Sequence, residues 1–275
     1  MTADQQSSCR TEYACGSEES MVHEAAAAVI ATACNAVKEK GSFSLALSGG
    51  SSPRPLFRQI AQGVEKKLFA RYASPSSFRD AANPETGTVR MPWDNTSLFW
   101  TDERCVPAMD HRSNYRMAKA SLFCAGGPVE RNIHRMPAGD LPPDEAARVY
   151  ESTLREYFRE ENGNLSGGYP VFDLVMLGMG GDGHTASLFP GDTLALAETQ
   201  RWVAAVVPPL HATPPVARLT LSLPVINHAG SVLFYISGNE KAAIAENIIS
   251  GKEKNLPASL VRPRDGIVRW FCVQL

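Results

Sequence analysis

Short apolar runs alternate along the chain with longer stretches of helical spacing. Residues 21–40 form an Ala-rich helical segment, introduced by Ser17-Glu18-Glu19-Ser20 as N-cap chemistry and closed by Gly41. Residues 42–48, SFSLALS, are apolar and bounded by glycines, which suits a strand covered on both faces. A helix over 53–69 follows. Residues 73–96 break all periodicity and concentrate Pro, Ser, Asn and Gly, predicting an exposed, mobile insertion. Strands are predicted at 96–101 and, most strongly, at 171–177 (VFDLVML), then at 202–207, 218–223, 232–237 and 267–273. Helices are expected over 114–123, over the charged 143–161 and over 240–249, the last ended by Gly251. Strands alternating with helices predict an α/β fold, a mostly parallel open sheet with helices on both faces. The polar residues 1–20 read as a flexible lead-in and residues 21–275 as a single domain.

Composition narrows the class without changing that picture. Of 275 residues 44% are hydrophobic and 20% charged, and 27 basic against 29 acidic residues leave a formal charge of −2. A large basic nucleic-acid surface is not indicated, so no nucleic-acid partner is expected. Uninterrupted apolar stretches such as residues 25–31 fall short of the ~20 residues that cross a bilayer, so no membrane partner is expected either. The first twenty residues lack a basic segment followed by an apolar one, and Val273-Gln274-Leu275 lacks the small and basic residues of a peroxisomal address. Cys9, Cys15, Cys34, Cys105, Cys124 and Cys272 form no CxxC pair and read as free thiols in a reducing compartment. A cytoplasmic, monomeric protein is expected.

In an open α/β sheet ligands sit outside the carboxyl ends of the strands, so the residues that follow each strand carry the information. The first such junction is Ser48-Gly49-Gly50-Ser51-Ser52-Pro53-Arg54. Its glycines permit a sharp turn, Ser51 or Ser52 can cap, and Pro53 fits a first helical position. Free amides at a helix N-terminus, with about half a unit of positive charge, make an anion site, here for phosphate. The plain alternative is an ordinary tight turn; a P-loop is absent.

The second junction is Thr101-Asp102-Glu103-Arg104, followed by Ser113-Asn114-Tyr115. Two carboxylates and a guanidinium at a strand end can hold a cation, orient a base or simply pair with one another. The third runs from Gly178 to Ser187, GMGGDGHTAS. It satisfies GxGxxG, but Phe189-Pro190-Gly191-Asp192 interrupts it and no second strand ending in an acid follows at the dinucleotide-binding distance. The glycines instead bring backbone close to a small ligand and present Asp182 and His184, the histidine suited to general-base chemistry near neutrality. No HExxH, paired histidines or cysteine cluster occurs, and no GxSxG, so neither a metal nor a cofactor nor a serine nucleophile is called for.

Together these junctions, with ARLTLSLPVIN (217–227) and SGNEKA (237–242), resemble the family of 6-phosphogluconolactonases and glucosamine-6-phosphate deaminases over residues 21–273. The resemblance implies a Rossmann-like sheet of the NagB/RpiA/CoA-transferase-like kind. It further implies hydrolysis of 6-phospho-D-glucono-1,5-lactone to 6-phosphogluconate in the oxidative pentose phosphate pathway. The deaminase pattern places a glutamate five residues after the loop histidine and a tyrosine after Asp-Glu; this chain has Phe189 and Arg104 there, which favours the lactonase. On that resemblance His184 is the base, Asp182 orients it, and Arg104 meets the substrate, supported by Asp102 and Glu103. Ser48, Gly49, Gly50, Ser51, Arg104, Arg218 and Lys241 bind the sugar phosphate. A deaminase/isomerase and a non-catalytic sugar-phosphate-binding protein are the alternatives.

Overall fold

The computed structural model describes residues 9–80, 87–123, 127–160, 165–210 and 212–275. Residues 1–8, residues 81–86 of the expected insertion, Cys124 and residue 161 lie outside that description. Nine strands carry the architecture: β1 (Arg10–Gly16), β2 (Phe43–Leu47), β3 (Thr96–Trp100), β4 (Asp102–Arg104), β5 (Leu174–Leu177), β6 (Val203–Val206), β7 (Arg218–Leu221), β8 (Ser231–Ser237) and β9 (Ile267–Val273). The longer helices are α1 (Glu18–Lys40), α2 (Arg54–Gln62), α3 (Asn114–Leu122), α4 (Pro143–Glu160) and α5 (Asn239–Ile249). Six strands form one wholly parallel sheet in the order β1-β9-β8-β5-β2-β3. β2, β3 and β5 are buried along their whole length, as strands covered on both faces must be.

The strand order fixes the site. From β2 the chain crosses through α2 to β3 on one side, then returns to β5 on the other side of β2. Connections that part in opposite directions leave a crevice at the carboxyl ends of β2 and β5. Helix α1 packs across this sheet with Ala25 to Ala31 fully covered, its start capped by the Ser17 hydroxyl and its end by Gly41 in the left-handed region (φ 83°). Its 23 residues are long and apolar enough to meet the length and composition of a membrane span, and in the fold those apolar residues are spent on the core.

Four expectations need correction. Residues 1–20 are not a flexible lead-in throughout, because β1 pairs in parallel with β9 from Arg10↔Ile267 to Gly16↔Val273. As a half-exposed edge strand it is held by backbone bonds and shows little apolar patterning. The helix expected over 53–69 breaks at Gly63 (φ 90°), where a Cβ would lie 2.6 Å from the Val89 carbonyl oxygen, and restarts as a short turn at Lys66–Phe69. The 73–96 segment is exposed only in part: Pro75, Ser76 and Gly87 face solvent as expected, but Val89, Met91 and Trp93 are buried, a two-residue alternation hidden among turn residues. Finally, the strands expected at 202–207 and 218–223 stay out of the parallel sheet. They form a separate antiparallel sheet, β6-β7-β4, which delivers Arg218 directly opposite Arg104.

Candidate active site

A cavity of about 210 Å³ opens at the crevice, lined by Ser48 to Pro53, Asp102, Arg104, Gly178 to Gly180, His184, Arg218, Tyr235, Ser237 and Lys241. Segments predicted independently to carry chemistry therefore meet in one place. Glu103 and Asp182 stand behind this lining.

The 48–53 loop follows β2. Among the described residues the amides of Gly49, Gly50, Ser51 and Ser52 make no backbone hydrogen bond, so they remain available to an anion. Neither serine caps α2 through its side chain; Pro53 itself is the cap residue, and the Arg54 amide turns back to the Ser51 carbonyl at 3.3 Å. Gly49 is required for a steric reason: a Cβ there would sit 2.1 Å from Oδ1 of Asn114.

Along β4 side chains alternate, which sends Asp102 and Arg104 toward the cavity and Glu103 away from it. Glu103 is a buried clamp for the start of α3. It accepts hydrogen bonds from the amides of Arg104 (2.7 Å), Asn114 (2.7 Å) and Tyr115 (2.8 Å) and from the Ser113 hydroxyl (3.0 Å). Burial pushes its carboxyl upward, while these four donors pull it back toward the charged form. Asp102 accepts from Asn114 Nδ2 at 3.2 Å and from the Ser187 hydroxyl at 2.7 Å. The expectation that Asp102 and Glu103 would hold the Arg104 guanidinium is thus corrected: they organise α3 and the 184–187 turn, and Arg104 Nη1 donates to the Arg112 carbonyl at 2.7 Å.

Arg104 and Arg218 are cross-strand partners on β4 and β7, and the Nε of each is buried without a hydrogen-bond partner. Arg218 is 3% exposed, lies over the Phe189 ring at 5.4 Å and donates through Nη2 to the Pro214 carbonyl. Burial lowers its hold on the proton; Asp102 opposes that shift and Arg104 adds to it. Two adjacent guanidiniums with donors unspent form a strong anion site.

His184 is held from behind. Its Nδ1–H donates to Asp182 Oδ1 at 2.6 Å and its amide donates to the same oxygen at 3.1 Å. Burial opposes ionisation of Asp182, yet the His184 amide and ring prevail, and the carboxyl lies below the usual range. The ring packs on Phe189 at 4.9 Å between centroids. With Nδ1 committed, Nε2 is the basic nitrogen and has no hydrogen-bond partner among the described residues. No group of three or more His, Cys, Asp or Glu side chains converges as a metal site among the described residues.

The sequence reading missed Asn114, Ser187 and Phe189 as second-layer supports and Tyr235 as a wall of the cavity. The Ser113-Asn114-Tyr115 triplet was a usable signal; Tyr235, inside an apolar strand, offered none.

The family model of glucosamine-6-phosphate isomerases/6-phosphogluconolactonase matches residues 16–270. The chain is similar to the 6-phosphogluconolactonase of Synechocystis sp., 32% identical over 256 residues that cover 92% of this chain and 91% of that one. It is also similar to that of Homo sapiens, 35% identical over 240 residues that cover 87% and 81%. Its fold is similar to solved structures of the 6-phosphogluconolactonases from Thermotoga maritima (TM-score 0.73, 25% identity, 97% of this chain and 100% of that one) and Trypanosoma cruzi (0.74, 26%, 99% and 97%). With the motif-bearing loops gathered at one crevice and the match running almost end to end, the chain belongs to the glucosamine-6-phosphate isomerase/6-phosphogluconolactonase family.

Proposed function

We propose that this protein hydrolyses 6-phospho-D-glucono-1,5-lactone to 6-phosphogluconate, the lactonase reaction of the oxidative pentose phosphate pathway. One observation carries the reading: the clamped His184 ring opens on the same cavity as two guanidiniums with unspent donors and a loop of free amides.

A δ-lactone is a reactive ester, so a base, an oxyanion partner and a grip on the phosphate suffice. His184 Nε2 takes a proton from water as the water oxygen attacks the lactone carbonyl carbon. The electron pair moves to the carbonyl oxygen, where fixed cationic donors stabilise it. When that pair returns, the bond to the ring oxygen breaks and the imidazolium gives its proton to the departing oxygen, which becomes the C5 hydroxyl. Asp182 holds the tautomer that makes Nε2 basic. Arg104, Arg218, Lys241 and the amides of residues 48–52 supply the positive field for a substrate that carries a phosphate dianion.

The amino-sugar deaminase is disfavoured at a specific place. Phe189 fills the position beside His184 where that chemistry places a carboxylate, and it is buried. A coupled assay with freshly generated lactone tests the proposal: His184→Ala lowers kcat about 10²-fold or more, the usual contribution of a general base. Ammonia release from glucosamine 6-phosphate, with no lactone hydrolysis, would overturn it.

A further inference from the structure

Tyr235 stands at the carboxyl end of β8, two residues before Ser237, so both side chains project from one face of the strand. The opposite face is occupied: Phe234 stacks on Trp270 at 3.9 Å between ring centroids. Tyr235 is 2% exposed, it lines the same cavity as Ser51, Ser52 and Lys241, and its hydroxyl is buried with no hydrogen-bond partner. A buried phenol without a partner is uncommon in a native fold and points to a group that arrives later.

Its surroundings indicate which end of the substrate it meets. Tyr235 stands in register beside Phe271 on β9, whose ring meets that of Tyr72 at 6.5 Å, and the Tyr72 hydroxyl donates to Glu24 of α1, so the phenol lies on that helix's side of the sheet; α1 in turn packs against α2, the helix that the 48–53 loop enters. Tyr235 therefore reaches the cavity from the layer that carries the loop of free amides. Burial, and then Glu18, push the phenol upward, so it stays a neutral O–H donor at neutral pH.

We propose that Tyr235 is a specificity-determining residue whose hydroxyl donates a hydrogen bond to the substrate's phosphate. The inference rests on the lactonase reading and deepens it. Tyr235→Phe removes one oxygen that has no protein partner, so folding is unaffected and thermal unfolding of the variant matches wild type. For the 6-phosphorylated lactone, KM rises roughly tenfold with kcat within about twofold, as fits one hydrogen bond to a charged group. For unphosphorylated glucono-1,5-lactone, kcat/KM is unchanged. Competitive inhibition by inorganic phosphate weakens in the same proportion as KM rises. Equal losses on both lactones, or no change on either, overturn the proposal. Wild-type protein inactive on both lactones fails the lactonase reading instead, and direct titration of both proteins with inorganic phosphate still decides Tyr235: equal affinity overturns the assignment, and weaker binding by Tyr235→Phe supports it.

Discussion

Asp182 Oδ1 receives both the ring Nδ1–H and the backbone N–H of His184, at 2.6 and 3.1 Å. A carboxylate gripping a residue through ring and backbone together fixes the position of the imidazole as well as its tautomer. Gly178 to Gly181 form the turn that brings the two residues together, and the Gly180 amide closes it by donating to the His184 carbonyl at 2.9 Å.

Asp182→Asn should therefore impair chemistry more than binding. An amide carries no charge to stabilise the imidazolium and can turn its NH₂ toward Nδ1, which selects the wrong tautomer. We expect kcat to fall about 10²- to 10⁴-fold with KM little changed. The Asp182 carboxyl has a lowered pKa, so its contact with His184 is complete above the ordinary carboxylate range and is lost only as pH falls through the lowered value. Turnover by Asp182→Asn close to that of wild type would contradict the assignment.

Gly180→Ala tests the same geometry without touching a charged group. A Cβ there would lie 2.2 Å from Nδ1 of His184 and 2.5 Å from Oδ1 of Asp182. The backbone of Gly180 is outside the left-handed region, so alanine suits the local conformation and only the side chains must yield. We expect the fold to persist and kcat to drop by 10²-fold or more, the full contribution of a displaced base. Near-normal turnover with an intact fold would show that His184 tolerates displacement and is not the base.

Much of this site was legible because the residue types that serve it are chemically distinctive and sit where a parallel sheet places ligands, at strand ends. Ser48 to Ser51, Arg104, His184 and Lys241 reach the cavity for that reason, whereas Arg218 opens β7 of the antiparallel sheet and arrives opposite Arg104. Direction was harder to read. Asp102 and Glu103 look equivalent in a string, and only the alternation along β4 sends one to the cavity and the other to the start of α3. β1 was missed because a half-exposed edge strand needs no apolar pattern, its order coming from backbone pairing with β9. Tyr235 carries no signal in the sequence because its ring is core; only its hydroxyl matters to the site.

Glu151 on α4 offers a stability test away from the chemistry. It accepts hydrogen bonds from Arg155 Nη2 (2.7 Å), the Trp202 amide (3.0 Å) and Arg201 Nε (3.3 Å), tying the helix to the start of β6. Glu151→Ala leaves the buried Trp202 amide unpaired, and we expect a loss of about 1–3 kcal/mol in urea unfolding with kcat unchanged. Burial works against this carboxylate, but Arg155, the Trp202 amide and Arg201 outweigh it and lower its pKa. Its contribution is therefore present above the unfolded carboxylate value and disappears as pH falls through the lower folded one. Wild type should lose stability on acidification more steeply than Glu151→Ala; parallel pH curves would refute this.

Arg218 sets stability against function. The guanidinium is buried beside Arg104, with burial and that neighbour both weakening its charge, and it covers the Phe189 ring. Methionine of similar length would keep the cover over Phe189 while relieving both the burial of a charge and its repulsion by Arg104. Arg218→Met should thus unfold at the same temperature as wild type or higher. Without the cation the anionic substrate loses one charge-assisted contact, and KM for the phosphorylated lactone should rise about tenfold or more. Inorganic phosphate, which binds the native state, should raise the melting temperature of wild type more than that of the variant. A clear fall in melting temperature with KM unchanged would mean that Arg218 is a structural cation whose partners lie within the fold, and the anion site would then rest on Arg104 and the 48–52 amides.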